Sequence, residues 1–274
     1  MNKIEIRHLG FHYTEGEDIL KDISLAFDGR STAIIGQNGA GKTTFVKLLK
    51  GLLKPVRGEV IINGVNTREA TVAALARHIG LVFQNPNDQI FKNKVLDEVM
   101  FGPLNIGQSE AEARERSFSA LAMVGLAERV NDNPYDLSLS ERKLISIASI
   151  VAMNTEIIIF DEPTIAQDHA GKEHIKAIVR ELVGQGKLVL TIIHDMDFVA
   201  ETFERTLVFA QGAVLLDGST HEVFAQEDVL RQAHLEAPHV TQLASRMGLP
   251  GTVLTVEEFV RVKRGLGTAS SVAP

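Results

Sequence analysis

Gly36, Gly41, Lys42 and Thr43 stand at the spacing G-x-x-x-x-G-K-[ST], and no other stretch restricts the fold of this chain as much. The β-branched run Ala33-Ile34-Ile35 leads into it, and Phe45-Val46-Lys47-Leu48-Leu49 leaves it as a helix, so the order is strand, glycine turn, helix. Gly39 and Gly41 have no side chains, which lets backbone N–H groups converge on phosphate oxygens while the helix N-terminus adds its positive dipole end. Asn38, Gly39, Ala40, Gly41, Lys42, Thr43 and Thr44 are therefore expected to wrap a nucleoside triphosphate. Lys42 reaches the β- and γ-phosphates in this reading, and Thr43 offers its hydroxyl to Mg²⁺. The alternative, a chance glycine turn, does not account for the strand before it and the helix after it.

Bulk properties remove several other classes. A chain of 274 residues forms one large domain or two, with ample core. No apolar run approaches the ~20 residues of a membrane helix, and the alternating Met1-Asn2-Lys3-Ile4-Glu5 does not read as a signal peptide. A net charge of −7 argues against broad binding to nucleic acid. The absence of cysteine excludes disulfide and thiol chemistry. Such a chain is most simply placed in the cytosol.

Upstream of the glycine turn, residues 3–9 alternate, and the pattern resumes at Ile19, Ile23, Leu25 and Phe27, predicting a half-buried antiparallel layer. Tyr13 lies in the loop between, placed either as a surface ring or, the better reading here, to stack on adenine. Downstream, Glu59 to Ile62 forms a strand entering an Asn63-Gly64 turn, and Ile79 to Phe83 forms another. That strand stops at Gln84, whose amide either serves Mg²⁺ and the attacking water or is an ordinary loop group.

From about residue 88 to 153 the signals are helical, an inserted subdomain. Ser109 and Glu112 have capping-box spacing before a face of Phe118, Leu121 and Ala122; Ser138 and Glu141 repeat it before Leu144, Ile147, Ala148 and Val151. Ile157 to Phe160 then reads as a parallel strand buried on both faces, with Asp161 and Glu162 at its carboxyl end, where ligands sit in open α/β sheets. Asp161 is placed to hold Mg²⁺ and Glu162 to take a proton from water. An amphipathic helix from Lys172 to Val183 precedes a buried strand, Leu188 to Ile193, ending at His194, a candidate donor to the γ-phosphate. Strands at 206–210 and 213–216 close the sheet.

Residues 221–264 read as a small appended α domain, with helices at about 222–233 and 240–247 and a third capped by Thr255 and Glu258. Residues 265–274, rich in Gly, Ser and Ala, are expected to be disordered. His169, His174, His234 and His239 lack metal-ligand spacing and read as surface residues.

The phosphate loop, Gln84, Leu137-Ser138, Asp161-Glu162-Pro163-Thr164, Asp168 and His194 follow the order and spacing of ABC transporter ATPases, which the chain resembles over roughly residues 3 to 220. Within them it looks most like the energy-coupling-factor group that includes cobalt and nickel importer ATPases, on Val82-Phe83-Gln84-Asn85-Pro86-Asn87-Asp88-Gln89-Ile90-Phe91, Phe101-Gly102-Pro103-Leu104-Asn105, His194-Asp195-Met196-Asp197 and Leu235-Glu236-Ala237-Pro238-His239-Val240-Thr241. The resemblance implies an α/β fold: a mostly parallel P-loop NTPase (RecA-like) core over residues 1–220, with an antiparallel β subdomain, the helical signature subdomain and the C-terminal α domain.

It also implies ATP with Mg²⁺, hydrolysed by a set comprising Glu162 as general base, His194, Gln84 and Lys42, with Thr43, Gln84 and Asp161 at the metal and Tyr13 and Asp168 among the nucleotide contacts. Two ATPase subunits would pair head to tail, Ser138 of one facing the partner's ATP. A membrane transmitter subunit would dock near Asn85 to Phe101 at the cytoplasmic face of the membrane, and a separate membrane subunit would hold a vitamin or transition-metal ion for import.

The chain departs from the family pattern where Leu139 and Ser140 replace both signature glycines, where Leu144 takes a commonly basic position, and at Ile165-Ala166-Gln167. Leu139 adds bulk where a helix end approaches phosphate. A heterodimer with one competent site is therefore favoured over a homodimer, the alternative being a nucleotide-binding regulatory subunit with little turnover. A phosphate-loop kinase would lack the Leu-Ser segment with Glu162 and His194. A chromosome-maintenance ATPase needs a long coiled coil between motifs, and a translation-factor ATPase usually carries two cassettes.

Overall fold

The computed structural model describes residues 3–269. In chain order the first part comprises β1 (Ile4–His12), β2 (Asp18–Phe27), β3 (Thr32–Gly36), α1 (Lys42–Leu49), β4 (Arg57–Ile62), β5 (Val65–Asn66), α2 (Val72–Leu75) and β6 (Ile79–Val82). Next come α3 (Val95–Asn105), α4 (Glu110–Met123), α5 (Leu139–Ala152), β7 (Ile157–Asp161), α6 (His169–Gly184), β8 (Leu188–Ile192) and α7 (Met196–Thr202). The chain continues through β9 (Arg205–Ala210), β10 (Ala213–Ser219), α8 (Thr220–Phe224), α9 (Glu227–Gln232), α10 (His239–Arg246) and α11 (Val256–Ala269).

The strands form two sheets, an antiparallel one in the order β2-β1-β4-β5 and a larger one in the order β10-β9-β3-β8-β7-β6. In the larger sheet only β10 runs antiparallel to its neighbour. Its inner strands are apolar at consecutive positions because both faces are covered, and successive side chains go to opposite cores. Ala33, Ile35, Ile158, Phe160, Val189 and Val208 join a core built with α3 to α8. Ile34, Ile157, Ile159, Leu188, Leu190 and Phe209 join a second core built with α1 and the antiparallel sheet. Each Val, Leu, Ile or Phe side chain so removed from water is worth about 1.5–3 kcal/mol.

Local patterns differ from expectation where backbone irregularity or a shifted stripe intervenes. β2 carries a left-handed residue, Asp22 at φ 51°, so Leu20 and Ile23 are buried while Ile19 is only half-buried. α4 has the expected Ser109–Glu112 capping box, but it buries Ala113, Ser117, Ala120 and Leu121. Phe118 and Ala122 fall outside that stripe and are exposed, and the Arg114 guanidinium covers the Phe118 ring at 5.3 Å. The single helix expected near 222–233 is two, α8 and α9, broken at Gln226, whose ψ of 61° leaves the helical region.

Val223, Phe224, Leu230, Ala233 and Leu254 from the C-terminal stretch enter the first core. α11 continues to Ala269, five residues into the stretch expected to be disordered; residues 270–274 lie outside those described. His169, His234 and His239 are exposed as expected, but His174 is half-buried with Nε2 2.8 Å from the Met123 carbonyl oxygen. Among the described residues no helix is long and apolar enough to cross a membrane.

Candidate active site

The sheet order places the carboxyl ends of β3, β8, β7 and β6 side by side, and the chemistry-bearing residues leave from those ends. From β3 the chain turns through the phosphate loop into α1. Gly39 sits there at φ +80° with no atom within 4 Å of the position a Cβ would occupy, an open cradle in a conformation that favours glycine. Behind the loop the packing is the reverse. Gly41 caps α1 at φ 99°, and a Cβ there would come 2.6 Å from Leu20 Cδ2; one on Gly212 would come 2.3 Å from the Ile19 carbonyl oxygen. β2 of the antiparallel sheet thus presses directly on the back of the loop.

Lys42 folds over the loop it follows, its Nζ donating to the carbonyl oxygens of Gly36 at 2.6 Å and Gln37 at 2.9 Å. Burial lowers its pKa, while Glu162 and Asp161 pull the other way. Thr43 is exposed on the first turn of α1 and Thr44 half-buried. The Tyr13 hydroxyl lies 3.5 Å from Thr44 Oγ1, and its ring, 60% exposed, stands edge-on to Phe11 at 4.9 Å. The ring therefore offers an open face beside the loop.

Asp161 ends β7 with only 6% of its surface exposed, and among the described residues nothing hydrogen-bonds its carboxylate. Burial, and then the charge of Glu162, push its pKa up to about 6 against the pull of Lys143 and Lys42. A desolvated, unpartnered acid facing two ammonium groups and a phosphate cradle suits a divalent cation, so the residues present fit Mg²⁺. Glu162 follows in the left-handed region at φ 47°, its N–H donating to the Ile192 carbonyl at 2.9 Å. Strain of this kind costs of order 1–3 kcal/mol and is kept where the surroundings enforce it. It turns the carboxylate toward β8, where Glu162 Oε1 lies 3.1 Å from His194 Nε2.

Four sequence-predicted residues, Lys42, Asp161, Glu162 and His194, are thus brought together. Gln84 sits at the end of β6 with its side chain exposed. Asp168 is engaged as the N-cap of α6, its Oδ1 accepting from the Gly171 N–H at 2.8 Å. Ser138 caps α5 on an exposed turn, donating to Glu141 Oε2 at 2.8 Å and accepting from the Glu141 N–H. Leu139 beside it is 38% exposed.

Lys143, which closes the signature stretch 137–143 and to which the sequence gives no role, is fully buried in α5. Its Nζ donates to the carbonyl oxygens of Phe83 at 2.7 Å, Gln84 at 3.0 Å and Asp161 at 3.1 Å, tying three segments of the site together. Burial lowers its pKa to about 8. Gln89 adds a second tie, accepting from the Phe83 N–H at 2.9 Å and donating to the Ser146 carbonyl at 2.9 Å. In sequence Lys143 is a cation at the end of the signature stretch, adjoining the apolar stripe of a helix.

The sequence pattern of the ABC transporter family matches residues 20–165, over half of the chain. The chain belongs to the ABC transporter ATPase family. This ABC ATPase is 42% identical to a putative ABC transporter ATP-binding protein of Pyrococcus furiosus, over 94% of the chain and 98% of that protein. It is 37% identical to the energy-coupling factor transporter ATP-binding protein EcfA of Methanothermobacter thermautotrophicus, over 93% of the chain and 84% of that protein. Among solved structures it resembles CbiO1 of Clostridium perfringens, part of the ABC transporter complex CbiONQ, with a TM-score of 0.76 and 30% identity over 90% of this chain and 99% of that one. ABC ATPase domains bind ATP and work in dimers within transporter complexes.

Proposed function

We propose that this ABC ATPase is the ATP-hydrolysing subunit of an energy-coupling-factor type importer, driving uptake of a vitamin or transition-metal ion through a membrane transmitter subunit at the cytoplasmic face. The observation that carries the membrane-coupling part is an apolar groove of about 280 Å³ beside the Gln84 loop, lined by Phe91, Phe101, Gly102, Ile106 and Met153 among others. Phe91 and Phe101 are 52% and 40% exposed and meet edge to face at 4.7 Å. Aromatic side chains left in water beside a catalytic loop suit a docked helix from a partner. The likeness to an energy-coupling-factor relative supports the same assignment.

In this reading the amides around Gly39 and the Lys42 ammonium bind the phosphates. Mg²⁺, held by Thr43, Asp161 and Gln84, would neutralise charge on the phosphate oxygens. Glu162 accepts the proton of the attacking water, and His194, held by Glu162, donates toward the γ-phosphate. Tyr13 stacks on the base. Positioning and electrostatics carry most of phosphoryl transfer, so each of these groups has leverage.

Leu139, half in water at the start of α5, favours a heterodimer in which this chain's phosphate loop and Glu162 work with a partner's intact signature while the reciprocal site is slow. The same observation supports a second reading, a regulatory subunit with little turnover. Purifying the tagged chain from native membranes tests both: an importer subunit brings down a second ATPase and membrane subunits, and the complex hydrolyses ATP. A complex that binds MgATP without turnover selects the regulatory reading, and a chain recovered alone removes the transport one.

A further inference from the structure

Ser140 and Gln167 are two of the places where this chain departs from the pattern of its family, and they are hydrogen-bonded to each other across 27 positions of sequence. Ser140 Oγ donates to Gln167 Oε1 at 2.8 Å, and Gln167 Nε2 donates back to the Ser140 carbonyl at 3.3 Å. The amide is confined on its other side by Gly171, where a Cβ would stand 2.4 Å from Gln167 Oε1. The first turn of α6 thus leaves room for this amide and little more.

Gln167 closes the short loop that begins at the acids. Ile165 N–H returns to the Glu162 carbonyl at 3.4 Å and Gln167 N–H to the Thr164 carbonyl at 3.2 Å, while Asp168 caps α6. Lys143 lies one turn along α5 from Ser140, hence on the same face, and it holds the Asp161 carbonyl oxygen. The start of α5 is therefore fastened to the acid-bearing segment at two points, one before the loop and one at its end.

We propose that the Ser140–Gln167 pair is a positioning pair that makes the start of α5 follow the nucleotide state of this chain's own phosphate loop. A shift of Asp161 and Glu162 on binding MgATP passes along the bonded loop to Gln167, and from its amide to the backbone of Ser140. This rests on the reading above that the start of α5 faces a partner's nucleotide, and it deepens it. A side-chain clip from Ser140, which stands in place of the second signature glycine, reports one site's occupancy to the surface offered to the other.

The test is hydrogen exchange on the full-length chain with and without saturating MgATP, followed in peptides spanning residues 137–144 and the phosphate loop. In the wild type both regions should change on binding, the α5 start by about fivefold or more in rate, the low end of typical site-to-site coupling. Gln167→Leu, which removes both bonds, and Gly171→Ala, which displaces the amide without altering either partner, should abolish the α5 response, while Ser140→Ala, which leaves the bond from Gln167 Nε2 to the carbonyl of residue 140, should weaken it. The phosphate-loop response should be retained in each, and Ser140→Ala/Gln167→Leu should do no more than Gln167→Leu alone. A purely structural role would raise exchange with and without nucleotide and leave the difference intact, which overturns the proposal. So does a wild-type α5 start that ignores MgATP while the phosphate loop responds. If the wild-type phosphate loop does not respond, the nucleotide reading fails first and the coupling with it.

Discussion

His194 Nε2 stands 3.1 Å from Glu162 Oε1, so the two ends of neighbouring strands β7 and β8 meet through their side chains. If Glu162 is the general base, Glu162→Gln keeps an oxygen for His194 and loses only the capacity to take a proton. Steady-state ATPase of the assembled complex should fall about 100-fold or more, with MgATP affinity nearly unchanged. Near-wild-type turnover of a heterodimer carrying this change in the present chain alone would reject the asymmetric assignment.

Two glycines near the loop should respond in opposite ways to the same methyl group. Gly39→Ala meets no atom within 4 Å and costs only the left-handed backbone, about 1 kcal/mol, yet the methyl occupies the cradle. Calorimetry should show a near-native melting transition and lost MgATP binding. Gly212→Ala drives its Cβ against the Ile19 carbonyl and should lower stability by about 1–3 kcal/mol in denaturant titration.

Lys143 gives a pH signature whose sign is fixed by its burial. Its ammonium has an ordinary pKa of 10.5 and drops to about 8 in the folded chain. Below 8 it is charged in both states and the burial penalty is fully present; between 8 and 10.5 the unfolded chain binds the extra proton, so stability rises with pH. The group accounts for at most about 3 kcal/mol of that rise. Lys143→Met should flatten the stability profile over this window. Lys50, also buried and lowered to about 8, leaves a residual slope.

Leu139→Gly removes the exposed side chain from the start of α5. If that side chain keeps the reciprocal site slow, turnover of the purified heterodimer should rise toward the rate of two working sites. Unchanged turnover, measured with this chain's own site blocked by Glu162→Gln, would place the defect elsewhere.

Much of this architecture could be read in advance because it is local. Runs such as Ile157 to Phe160 announce strands covered on both faces, and the Ser109 and Ser138 capping boxes mark helix starts to the residue. The phosphate loop and the acids at the end of β7 are likewise contiguous in sequence. What escaped depends on distant partners or backbone kinks. Lys143 looks like a solvated charge until Phe83, Gln84 and Asp161 turn their carbonyls on it. Ser140 and Gln167 each read as an isolated substitution, and the left-handed Asp22 shifts the burial of β2 by one residue.

The close seating of Ile19 and Leu20 on Gly41 and Gly212 has a mechanical consequence. Tyr13 hangs from the same small sheet that braces the phosphate loop from behind, so the span between aromatic ring and loop is a built constant. If Tyr13 stacks on the base as proposed, that span acts as a calliper, gauging the nucleotide by its length.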